Sequence, residues 1–450
     1  MNVPPTVTRR SFLKSSTLAS AAAIAFPYVL RAQGGGQSRN NKLNVACVGV
    51  GGQGRAAVER LKGENFVAFC DVDDERAAAT FEQYPNVPRF RDYRQMLDKL
   101  GNQIDAVTVS TPDHMHYPIA VAALQLGKHV FVEKPLTHTI TEARHLAQLA
   151  REKKVATQMG NQGHASDGIR LVKEWIEGGV LGEVREVHSW TDRPGTIWPQ
   201  GGFKAPDHSK FIPVVPPTLD WDAWLGVAAE RPYDPAYLPF KWRGYWDFGT
   251  GALGDMGCHL LDSAHWALKL DAPRHIEALR AFDNETTGPS SSVITFEFPA
   301  RGALPPLTLK WYDGGLMPPP PPELETSRQL PDNGTVFIGS KATALATLYN
   351  QSVRIIPETR MQELVPSLPP KTIPRIEGGH FAEWVRACKG GPAAGSNFEV
   401  ASRLTELCLL SNVAVRARRP IEWDAQAMRV TNLPEANQYL TTAYRPGFGV

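Results

Sequence analysis

The chain has 450 residues, 42% of them hydrophobic, with 48 lysines and arginines against 46 acidic residues for a formal net charge of +2. That length exceeds one ordinary core and implies two domains, and the balanced charge excludes the basic field that a nucleic-acid partner needs. Five cysteines (Cys47, Cys70, Cys258, Cys388, Cys408) are too irregularly spaced for a metal-ligand pair or a disulfide framework, so they read as small core residues and no metal is expected.

Residues 8–14 read TRRSFLK and precede a short, alanine-rich apolar stretch over 18–30. Paired arginines ahead of such a run are the pattern of a twin-arginine export signal, and the run is too short for a convincing membrane span. The expectation is a signal peptide over 1–32, the twin-arginine export machinery as a partner, and a bacterial periplasmic location. A disordered basic N-terminus or an uncleaved anchor is the alternative. Residues 33–41 have linker composition.

Residues 43–54, LNVACVGVGGQG, are an apolar run that breaks into closely spaced glycines and then a helix-like segment over 55–62. This strand-turn-helix order suits a dinucleotide site. Gly49 permits the tight turn, Gly51 lets the backbone approach a pyrophosphate, and Gly54 lets helix pack on strand, with Gly52 and Gln53 in the same loop. A second buried strand over 66–70 delivers Asp71, 22 positions after Gly49. A carboxylate there accepts ribose hydroxyls and repels a 2'-phosphate, which favours NAD over NADP. Arg76 lies close enough to blur that preference, and Asp73 is a fallback for the ribose contact.

Helices are expected over 75–84, 93–100 and 118–126, and buried strands over 104–110 and 129–132. Alternation at this spacing means parallel strands with ligands at their C-terminal ends. Ser110, Thr111, Pro112 and His116 therefore face the cofactor from one segment, and Glu133 and Lys134 from another. Thr139 to Glu142 fits a capping box, and a last strand over 155–159 leads to Gln162, also on the cofactor side. The Rossmann domain is expected over 42–160.

Lys134 ends an interior strand and precedes a proline that restricts its backbone to extended geometry. An ammonium there can donate to an alcohol or carbonyl oxygen while hydride moves at the attached carbon. A structural ion pair is the alternative.

Beyond a helix over 167–177, strands over 184–190, 293–298, 307–311 and 336–338 lack regular crossover helices. They favour an α+β domain over 161–432 with an open, largely antiparallel sheet, followed by a tail over 433–450 that could reach a neighbouring subunit. An insertion over 191–249 holds five of the eleven tryptophans (Trp198, Trp221, Trp224, Trp242, Trp246). Indoles packing on sugar rings, with Arg193 and Arg243 donating to hydroxyls, is one reading; a loop stapled by its own aromatics is the other. His164, just past the domain junction, is a further candidate for substrate contact.

In residues 249–266, GTGALGDMGCHLLDSAHW, a helix starting near Gly254 would put Asp255, His259, Asp262 and Trp266 on one face. A histidine oriented by a carboxylate suits a base that accepts an alcohol proton. A structural His–Asp pair and a metal site remain alternatives. Helices over the segment from Phe381 to Cys388 and over 398–416 read as amphipathic packing elements.

GVGGQG, Asp71, TPDHMH, GKHVFVEKP and GALGDMGCH together resemble the Gfo/Idh/MocA oxidoreductase family, which includes glucose-fructose oxidoreductase and inositol dehydrogenase, over about residues 43–424. The resemblance implies catalytic roles for Lys134, Asp255 and His259, cofactor-side positions for Glu133 and His116, and a second-domain sheet that closes over the nicotinamide and makes homo-oligomer contacts. It also implies a carbohydrate substrate and tightly bound NAD, because an exported enzyme finds little free cofactor. Related NAD-dependent glycosidases share the export signal but commonly lack the lysine of EKP, so Lys134 favours a dehydrogenase. A glycosidase working through oxidation, elimination and reduction, or a non-catalytic sugar sensor that binds NAD, are the alternatives.

Overall fold

The computed structural model describes residues 41–198, 200–202 and 204–449. The expected export signal lies outside the described residues. Six strands, β1 (Asn44–Val48), β2 (Asn65–Cys70), β3 (Arg89–Phe90), β4 (Ala106–Val109), β5 (His129–Val132) and β6 (Thr157–Met159), form a wholly parallel sheet in the order β3-β2-β1-β4-β5-β6. Val45, Ala46, Cys47, Val107 and Val130 are fully buried, as both-face coverage by helices requires.

The connecting helices start where side chains satisfy their free amides. Asp73 caps Asp74–Gln83, Asp92 caps Tyr93–Leu100, and Thr139 with Glu142 makes the expected capping box of Ile140–Lys153. Boundaries differ slightly from the sequence reading. The first helix begins at Gln53 because the glycine loop feeds straight into its first turn, and a 3-10 turn at Asp113–Met115 starts the next crossover early, at His116. Because chain direction across the sheet reverses between β1 and β4, the loops after these strands diverge and leave a crevice.

The second sheet has nine strands in the order β13-β12-β11-β7-β10-β9-β8-β14-β15. They are β7 (Val184–Trp190), β8 (His275–Ala281), β9 (Ser291–Phe298), β10 (Leu307–Tyr312), β11 (Gly334–Gly339), β12 (Thr343–Thr347), β13 (Val353–Ile356), β14 (Ile421–Asp424) and β15 (Arg429–Val430). Only β7 with β10 is parallel. Sequence reading found four of the nine. β12 (TALAT) carries small residues without apolar alternation, and β14 and β15 are too short to show a period.

The helix Phe398–Ala417 is buried nearly all round rather than amphipathic, because it lies against both Ile140–Lys153 and β8. Its Glu406 takes Arg144 and the Trp423 Nε1 proton, the latter at 3.0 Å. The helix Gly379–Cys388 returns to the first sheet, where Phe381 stacks on Phe131 of β5 at 4.3 Å. The two sheets are thus locked together by late segments of the chain.

Buried histidines set the acid limit of this fold. Burial pushes His114 and His259 down to about 3, and His116, His265 and His380 down to about 4. Each stays neutral in the folded state where the unfolded chain, near 6.5, takes a proton, so stability falls as pH drops from about 6.5 toward 4. Glu133 and Glu142, raised by burial to about 7, Asp313, raised to about 6, and Asp71 and Asp113, also raised, pull the other way, but burial lowers His129, His138 and His188 as well, so the histidines outnumber them. Urea unfolding midpoints are expected to be clearly lower at pH 5 than at pH 7; equal midpoints would contradict this account.

Candidate active site

One cavity of about 400 Å³ runs along the crevice. At its floor Gly49 has φ +76, and a Cβ there would meet Ser110 O at 2.5 Å. A Cβ on Gly54 would lie 1.8 Å from Gly49 O, so this residue sits beneath the loop as the contact of helix on strand. Gly51, Gly52 and Gln53 line the cavity, as do Ser110, Thr111 and Pro112 beyond β4.

Asp71 lines it too, and its Oδ2 accepts the Val50 and Gly51 amides at 2.8 and 3.2 Å while Oδ1 accepts the Asp73 amide at 3.1 Å. It therefore shapes the glycine loop and keeps acceptor capacity on Oδ1 for a hydroxyl. Burial raises its pKa from the ordinary carboxylate value. A glycine cradle that side chains would fill, with a carboxylate at the end of β2, fits the pyrophosphate and ribose of a dinucleotide.

At the far end, Lys134 Nζ donates to Asp255 Oδ1 at 2.6 Å, and Arg243 Nε donates to the same oxygen at 3.1 Å. The Arg243 guanidinium stacks over Phe240 and Trp242, with Cζ 3.7 and 4.3 Å from the ring centroids. Burial alone would raise the Asp255 carboxyl, but the two cations hold it well below the usual carboxylate range.

His259 makes no hydrogen bond to Asp255: its Nδ1 is buried without a partner, and burial, then the Lys134 charge, keep the ring neutral. The carboxylate thus orients the lysine and arginine, and the histidine is left free. The reason is local. Residues Leu253–Gly257 form a π-turn, which rotates the helical residues that follow it, up to Asp262–Ala267, relative to a regular α-helix. Asp255 and His259 both line the cavity, whereas Asp262 turns away.

Several expected residues lie elsewhere. His164 is buried outside the cavity, its Nδ1 2.9 Å from Asp262, which also takes Asn161 Nδ2; it braces the domain junction and offers no substrate contact. His116 spans the Pro135 and Thr111 carbonyls at 2.8 and 2.9 Å, bracing the two loops from behind instead of facing the cofactor. Trp198 is buried behind Phe240 and donates to Gln200. Glu133, Gln162, Arg193 and Trp242 do line the cavity. In the aromatic insertion Trp221, Tyr237, Tyr245 and Phe248 pack on one another, while Trp224, Phe240, Trp242 and Arg243 at its edge line the cavity.

Tyr349 was not foreseen. The turn between β12 and β13 thrusts it into the cavity with φ 56, its ring edge-on to His259 at 4.8 Å. No sequence signal marked it, since neither flanking strand was legible. A bulky residue held in left-handed geometry at a cavity wall is the strain that functional sites accumulate. Asp113, within the segment after β4 that was expected to face the cofactor, lines the cavity as well and accepts the Thr250 hydroxyl at 2.6 Å.

With this geometry in hand, similarity to known proteins is informative. Residues 43–161 match a model described as "Oxidoreductase family, NAD-binding Rossmann fold", and residues 168–288 match the family's "C-terminal alpha/beta domain". A levoglucosan dehydrogenase of Pseudarthrobacter phenanthrenivorans is 26% identical over 199 residues, 44% of this chain and 41% of that protein. A glycosyl hydrolase family 109 protein of Shewanella sp. (strain ANA-3) is 30% identical over 203 residues, 39% of this chain and 44% of that protein. These matches span less than half of either relative. The WlbA dehydrogenase of Bordetella pertussis, solved with NADH and UDP-GlcNAcA, shares the fold at a TM-score of 0.59 and 15% identity, covering 85% of this chain and 99% of that one. The chain belongs to the Gfo/Idh/MocA oxidoreductase family.

Proposed function

We propose that the protein is an exported NAD-dependent oxidoreductase acting on a hydroxyl of a sugar, glycoside or cyclitol. The observation that carries this reading is the Lys134–Asp255–Arg243 cluster beside a neutral, unpartnered His259, in the same cavity as the glycine cradle. Hydride acceptance is the chemistry that bound NAD supplies. Lys134, fixed by Asp255, donates to the substrate oxygen and stabilises charge developing there. His259, which lines the cavity and has no hydrogen-bond partner of its own, is the group we assign to take the hydroxyl proton. Arg193, Arg243 and the Phe240–Trp242 wall offer donors and ring faces of the kind sugars bind.

The twin-arginine pattern supports export in the folded, loaded state, and with it a cofactor reset in place by a second carbonyl substrate or an external acceptor. The outer face of the second sheet, where Leu279 on β8 is 64% exposed, is the surface we assign to homo-oligomer contact. A glycosidase running oxidation, elimination and reduction is a second reading, favoured by the family 109 relative; the lysine at position 134 stands against it.

The test is reduced-nicotinamide absorbance of purified protein, with no cofactor added, during titration with glycosides and then keto-sugars. A rise with one glycoside, reversed by a keto-sugar, is expected. Cofactor that binds but never changes redox state across a broad panel would sink the oxidoreductase reading, and release of free sugar from a glycoside would favour the glycosidase.

A further inference from the structure

The segment over 441–449 folds back onto its own chain instead of extending away. Thr141 donates to Leu440 O at 2.8 Å, and the Tyr444 hydroxyl donates to Glu142 Oε1 at 2.5 Å, which anchors it on the helix Ile140–Lys153. Arg445 then spans to the aromatic insertion, donating from its backbone to Val227 O at 2.9 Å and from Nε to Gly226 O at 3.0 Å, and pairing with Asp222. Finally, Arg94 at the start of Tyr93–Leu100 donates to Gly447 O at 2.9 Å. The segment therefore bridges the first domain and the insertion across one end of the cavity.

Phe448 is what it delivers there. Arg94 Cζ and Arg445 Cζ stand over its ring, 4.5 and 4.4 Å from the centroid, and it lines the same cavity as Asp71 and the glycine loop. Arg94 is itself held by Asp92 at 2.8 Å, so the ring has a fixed seat. Tyr93, Met115 and Ile119 line the cavity as well. Asp71 marks the ribose position, and β3 is its neighbour in the sheet, so this is the adenosine half.

We infer that Phe448 is a dinucleotide-binding residue: its ring packs against the adenine of NAD, and the segment over 441–449 retards cofactor release. The idea rests on the NAD reading above, but its readout is separate from turnover. With guanidiniums over the ring, what Phe448 offers adenine is its edge: an aromatic edge packs against the π-face that the base presents, and the cations hold the ring in place. A segment that must lift from two anchors before the adenosine leaves converts binding energy into slow dissociation.

The experiment measures the rate at which pre-bound NADH leaves the full chain when it is diluted into excess NAD, followed by nicotinamide fluorescence. Phe448→Ala is expected to release about fivefold faster than the wild type, Phe448→Trp to stay slow, and Phe282→Ala, an exposed ring elsewhere, to change nothing. Thermal unfolding without cofactor should be the same for wild type and Phe448→Ala, which separates a lost contact from a damaged fold. Equal release from wild type and Phe448→Ala would overturn the inference. Fast release from the wild type, faster still from the variant, would uphold the Phe448 contact while refuting tight retention; failure of NADH to bind the wild type would overturn both.

Discussion

Replacing Lys134 by methionine is expected to lower the rate of hydride transfer by about 10²–10⁴-fold while leaving bound NAD in place. Methionine preserves much of the aliphatic stem, so packing near the end of β5 changes little, and what disappears is the ammonium that Asp255 aims from 2.6 Å. On the proposed reading the cofactor is held elsewhere, by the glycine loop and Asp71 that line the cavity at the ends of β1 and β2, so its content after gel filtration should match the wild type. Single-turnover reduction of the bound cofactor by substrate is the direct measurement. A rate within threefold of wild type would mean that Lys134 is a structural ion pair and that the proton chemistry lies with other groups.

The second large effect is on stability. Asp255→Asn leaves Lys134 and Arg243, at side-chain exposures of only 15 and 17%, without the carboxylate that bridges them, with only the longer-range charges of Glu133 and Asp113 nearby. Breaking a buried pair by removing one partner costs about 3–5 kcal/mol; with that residual exposure, a loss of about 2–3 kcal/mol in unfolding free energy is expected. The carboxylate is matched to two cations at once, which is why it stays ionised despite burial. The double variant Lys134→Met with Asp255→Asn removes one stranded charge, so it should be more stable than Asp255→Asn alone, and the cycle should show clear coupling. Additive effects would show that the three groups do not form one electrostatic unit.

The first domain was legible because its signals are local. A glycine loop after an apolar run, Asp71 after the next, and Lys134 at the end of β5 all follow from strand-helix alternation, where ligand-facing positions are the residues just past each strand. The second site cluster was half legible: Asp255 and His259 stand at helical spacing, but the π-turn rotates the residues after it, Asp262 goes to His164, and the carboxylate chose Lys134 and Arg243 over the histidine. Those choices depend on which charges the fold brings to Asp255 from residues 121 and 12 positions away.

By itself, the order of residues determined the Rossmann architecture and the dinucleotide cradle and brought forward Lys134, Asp255 and His259 as candidates, because each is encoded within one strand-turn-helix unit or one helical turn. Only the tertiary structure decided their pairing, the removal of His116, His164 and Trp198 from the cavity, and the arrival of Tyr349 and Phe448 in it. Tyr349 comes from a hairpin of small residues and Phe448 from a segment with no periodicity. Their places are set by contacts made across the whole chain, and no local pattern carries that information.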